Sequence, residues 1–93
     1  MVYRNTIFGE SYPHAARVFE DYCRQAFGRM PEASDCGGLE LELRRGVSIE
    51  IMRDGRNVLV SGLLRDRFNA EENIGTINST AKQFIRKVES KVK

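Results

Sequence analysis

Three runs decide the fold: Leu39-Glu40-Leu41-Glu42-Leu43, Val47-Ser48-Ile49-Glu50-Ile51, and Val58-Leu59-Val60 continuing to Leu64. In the first two, apolar side chains alternate strictly with polar ones, the period-2 signature of a half-buried strand. Asp54-Gly55 separates the second and third runs. It reads as a tight type I′ turn, whose two central residues need positive φ. The spacing therefore predicts an antiparallel meander with one apolar face and one solvated face. Glu40, Glu42 and Glu50 fall on the solvated face, where carboxylates at this spacing are expected without any acid–base role.

Outward from the meander, Tyr3 to Phe8 is a short stretch of strand formers, read as a further strand. Ser11-Tyr12-Pro13-His14 then carries a cap residue and an early proline, which marks a helix start. Ala15, Val18, Phe19, Tyr22, Cys23, Ala26 and Phe27 recur at three- and four-residue spacing, and Gly28 is placed to end the helix. Pro31, Ser34, Asp35 and the glycines up to Gly38 read as a loop. After the meander, Asn69 and Glu72 form a capping-box-like pair. A second helix follows on Ala70, Ile74, Ile77, Ala81, Phe84, Val88 and Val92. The expected fold is one α+β domain over residues 1–93, in the order β-α-β-β-β-α, with both helices on one face of an antiparallel sheet.

The chain has 93 residues, 41% of them hydrophobic, with five Phe and three Tyr. That suffices for one core and argues against disorder. A domain of this size buries only about 60–65% of the surface of its unfolded chain, so its helices often complete their burial on a partner. No apolar run is long enough to span a membrane, and Met1-Val2-Tyr3-Arg4-Asn5 lacks the pattern of a signal peptide. A cytoplasmic address is expected. Cys23 and Cys36 have only His14 to join them, too few ligands for structural zinc, and no cofactor motif is present. His14 stands at a helix start without a nucleophile at telling spacing, so no enzymatic role is expected.

Net charge is only +2, but the last helix is unevenly basic: Lys82, Arg86, Lys87, Lys91 and Lys93 stand against Glu89 alone. Cations at a helix C-terminus complement its dipole. The functional alternative is a basic edge for RNA phosphates, with Lys82, Arg86 and Lys87 as candidate contacts. A stripe of small residues, Gly75 and Ser79, runs beside the apolar one and continues to Lys82 and Arg86. Glycine in a helix interior costs about 1 kcal/mol relative to alanine. Close approach of another backbone would give that cost a reason.

Gly75-Thr76-Ile77-Asn78-Ser79, set in the last helix of a strand–helix–strands–helix layout, resembles the Pcc family of small KEOPS subunits. Their corresponding phrase is close to Arg-Gly-Thr-Val-Asn-Ser. Ala15-Ala16-Arg17-Val18-Phe19-Glu20 is similar to the family's first helix, and Asp54-Gly55 falls where its hairpin would. Ile74 replaces the usual Arg, the Leu-Arg-Trp that commonly follows is missing, and Leu39–Leu43 looks like an added strand or a longer hairpin arm. Such departures suit a divergent member or the paralogous second Pcc-like subunit.

The resemblance implies a non-catalytic subunit of the complex that installs threonylcarbamoyl on an adenosine beside the tRNA anticodon. Such subunits pair through their sheets, as homodimers or with a paralog, and dock two helices on the catalytic subunit. Here Gly75, Asn78, Ser79, Lys82 and Arg86 would face those partner helices, while Ile74, Ile77, Ala81 and Phe84 would cover the domain's own sheet. A double-stranded-RNA-binding domain is the rival, since helix, three strands and helix is also its order. That fold places its basic cluster at the start of the last helix, where this chain has Glu71 and Glu72.

Overall fold

In the computed structural model, residues 3–65 and 67–90 are described. The meander forms as its alternation dictates. Strands β3 (Leu39–Arg44), β4 (Val47–Asp54) and β5 (Asn57–Leu64) pair antiparallel, with Leu41 opposite Ile49 and Ile51 opposite Val60. β1 (Tyr3–Ile7) adds to the free side of β5, with Tyr3 opposite Gly62. A two-residue strand, β2 (Glu32–Ala33), pairs with β3 on the other side. The five strands lie in the order β1-β5-β4-β3-β2. β2 corrects the expectation of an unbroken loop from Arg29 to Gly38. So short a strand carries no periodic pattern and exists only through its partner.

The β4–β5 turn also differs from expectation. Asp54 pairs with Asn57, so Gly55 and Arg56 are the central residues, and only Gly55 has positive φ. Glycine at the first central position is the type II′ arrangement rather than type I′.

Helix α1 (Tyr12–Phe27) begins and ends where the sequence placed it. Ser11 accepts a hydrogen bond from the His14 N–H at 3.4 Å, and Gly28, at φ 69°, donates its N–H to the Arg24 carbonyl. Ala15, Val18, Phe19, Tyr22 and Cys23 are buried, whereas Ala26 is exposed and Phe27 half-buried. The apolar face thus thins out in the last turn.

Helix α2 (Ala70–Ser90) buries Asn73, Ile77, Thr80, Ala81, Phe84 and Val88. Ile74 is only half-buried, so the core seam is rotated slightly from the expected one and takes in Asn73 and Thr80. Val92, Lys91 and Lys93 lie outside the described residues. The expected capping box does not form. Asn69 sits at φ 57°, a left-handed conformation that asparagine tolerates better than most residues, and the Glu72 carboxylate instead accepts from Arg44 at 3.4 Å. Arg44 also donates to Asn73, and Asn73 donates to the Phe68 carbonyl, fastening the first turn of α2 to the end of β3.

Both helices lie on one face of the sheet. Phe19 and Phe84 meet edge to face with centroids 5.1 Å apart, over Leu41, Ile49, Ile51, Val58 and Val60. Burial of this contiguous apolar cluster is the main driving force for the fold.

Candidate partner-binding surfaces

At 3.6 residues per turn, residues 75, 79, 82 and 86 fall opposite Ile77, Ala81, Phe84 and Val88. Gly75, Ser79, Lys82 and Arg86 are accordingly exposed together on the outward side of α2. A methyl group added at Gly75 would meet nothing within 4 Å, so the domain's own packing does not require glycine there. Asn78 stands apart from this line. It is half-buried on the flank of the helix, beside Ile74 and Ile85. Lys87 falls on another side, against α1, where it lines a shallow groove with Val18, Asp21, Tyr22, Gln25 and Ser90. The six predicted residues therefore form not one patch but an outward line of four, a flanking Asn78 and an inter-helix Lys87. The same inter-helix seam holds a bond the sequence did not signal: the Tyr22 hydroxyl donates to Gln83 Oε1 at 2.9 Å.

The second face of the sheet carries no helix, yet it is not the uniformly solvated surface that alternation suggested. Cross-strand register sets Glu32, Glu40, Glu50, Ser61 and Arg4 in a single row across all five strands. At its centre Glu50 is 6% exposed and Ser61 fully buried, with Ser48 and Leu59 buried beside them. These residues lie on β4 and β5, each of which has a paired strand on both sides. Alternation reports the face a residue points to, not how crowded its neighbours on adjoining strands will be.

His14 and Cys23 are not brought together. His14 Nδ1 lies 2.9 Å from Glu10 Oε2 at the start of α1. Nine residues further along, about 13 Å up the helix axis, Cys23 is wholly buried in the core. Burial pushes its thiol up to about 12. Cys36 is exposed in the β2–β3 loop. Among the described residues no group of His, Cys, Asp and Glu converges closely enough to hold a metal ion, and no helix is long and apolar enough to cross a membrane.

The chain is an α+β protein with an antiparallel sheet. No family model matches it, and no similar curated protein or solved structure was found.

Proposed function

We propose that the chain is a Pcc-type scaffold subunit of a KEOPS complex, docking its helical layer on the catalytic subunit that threonylcarbamoylates tRNA. One observation carries this reading: the Gly75–Ser79 line of α2 faces away from the core, with open space over the glycine. A helix that has already buried Ile77, Ala81, Phe84 and Val88 gains nothing within the domain from an internal glycine on its far side. A partner helix packed against that line would gain close backbone approach. Lys82 and Arg86 continue it as the polar rim that such interfaces usually have, within reach of tRNA phosphates bound to the assembly. Pairing with a second Pcc-like subunit, a copy or a paralog, would use a sheet edge, and β1 is the longer of the two.

The test is co-purification of the catalytic KEOPS subunit with a Gly75→Leu/Ser79→Leu double variant whose circular dichroism matches the parent. Association should fall at least tenfold. Undiminished association by the folded variant would refute the proposed face.

A further inference from the structure

Arginines from two separate stretches of chain meet at one end of the sheet. Arg44 closes β3 and Arg45 lies in the turn to β4, while Arg65 and Arg67 follow β5. The Arg65 N–H donates to the Gly46 carbonyl at 2.8 Å, which seats the second stretch against the turn. All of these arginines are exposed. Glu72 answers Arg44 at 3.4 Å and Glu40 answers Arg65 at 3.9 Å, both long contacts, whereas Arg45 and Arg67 form no ion pair with the described residues. Exposed pairs of this kind contribute little to stability, so the fold itself does not account for the cluster.

An aromatic ring is fixed beside them. Phe68 is 75% exposed, although burying such a side chain would contribute about 1.5–3 kcal/mol. Its carbonyl accepts from the Asn73 carboxamide at 3.2 Å, and the same carboxamide accepts from the Arg44 guanidinium at 3.3 Å. Asn73 is itself only 6% exposed. A buried side chain therefore ties the backbone that carries the ring to the nearest arginine.

We propose that this end of the sheet binds single-stranded nucleic acid, with phosphates on Arg44, Arg45, Arg65 and Arg67 and an unpaired base stacked on Phe68. Guanidinium forks match phosphate oxygens bidentately and stay charged at any physiological pH. Every base has a π-face, and stacking one on an aromatic side chain contributes about 1–3 kcal/mol. An acidic protein segment would occupy the arginines without giving the exposed ring a role. Glu71 and Glu72 lie on the first turn of α2, where they complement its dipole. Lys82 is about 18 Å along the helix axis from Ala70, so this surface is separate from the rim formed by Lys82 and Arg86. It stands whatever α2 docks on.

The experiment is fluorescence anisotropy of the full chain with labelled single-stranded RNA and DNA of one mixed sequence, the tighter of the two identifying the strand. Arg45→Gln/Arg67→Gln, which breaks no ion pair among the described residues, should weaken binding at least tenfold. It should also lower the slope of log Kd against log salt concentration by about 1.4, at ~0.7 per lost phosphate contact. Phe68→Ala, checked for folding by circular dichroism, should weaken binding at least fivefold with the salt slope unchanged. Arg53→Gln/Arg56→Gln, which removes the same charge at the far end of β4, should bind within twofold of the parent. Absence of binding at low salt, or undiminished binding by the Arg45→Gln/Arg67→Gln variant, would overturn the proposal. So would an equal loss in the Arg53→Gln/Arg56→Gln variant, or parental binding by Phe68→Ala, which would point to an acidic protein instead.

Discussion

A methyl group added at Gly62 would collide with the Ile77 side chain and lie 3.0 Å from the Tyr3 Cβ, whereas one added at Gly75 would meet nothing. The two glycines therefore answer opposite needs, one set by the inner packing of sheet and helix, the other unconnected with it. Gly62→Ala should destabilise the protein by about 1–3 kcal/mol, because a packed core must shift to admit the extra carbon. Gly75→Ala should stabilise it by about 0.5–1 kcal/mol, through reduced freedom of the unfolded chain and better helix propensity. Urea denaturation of both variants at neutral pH reads the two signs directly. A destabilising Gly75→Ala would mean that the glycine serves the isolated fold after all.

Between the two helices lie the Phe19–Phe84 contact, a looser Tyr22–Phe84 approach at 6.4 Å, and the Tyr22–Gln83 hydrogen bond, within a shared apolar cluster. Phe84→Ala should therefore cost about 3–5 kcal/mol, a large share of the stability of so small a domain, and a fall in thermal midpoint of well over 10 °C checks it. At this scale the sequence was most informative where the signal was local. Ser11, Pro13 and Gly28 bound α1, and the leucine–glutamate and isoleucine–serine alternations mark β3 and β4, because caps and periodicity are properties of neighbouring residues. It was least informative where partners are distant. β2 depends on Glu32 and Ala33 meeting β3. The start of α2 is fixed by Arg44 on a remote strand, not by the Asn69–Glu72 pair. Of the candidate contact residues, Gly75, Ser79, Lys82 and Arg86 could be placed on one side by helical periodicity. The row from Glu32 to Arg4 could not, since it requires the register of five strands.

Stability of the whole molecule should fall in alkaline solution, and Cys23 identifies part of the reason. Burial raises its thiol from an ordinary 9.0 to about 12, and burial likewise raises the Tyr12 and Tyr22 phenols. The folded chain thus holds these protons more tightly than the unfolded one. The associated stability is fully present below pH 9 and is lost as pH rises towards 12, at up to about 1.4 kcal/mol per pH unit for the thiol. Cys23→Ala, though less stable at pH 7, should show a shallower decline of thermal midpoint between pH 8.5 and 10.5. A parallel decline would assign the effect to the tyrosines.

β1 precedes the other described strands and, among them, pairs with β5 alone, with Tyr3 opposite Gly62 and Ile7 opposite Val58. While the chain is being synthesised, at roughly 5–20 residues per second, β1 has no strand to pair with until β5 has been made after it. The hairpins of β3, β4 and β5 close short loops and can assemble early, whereas joining β1 requires the largest ring closure in the sheet. Completion of the sheet is thus a late event of biogenesis, and a nascent chain truncated before β5 would leave its first strand without a place.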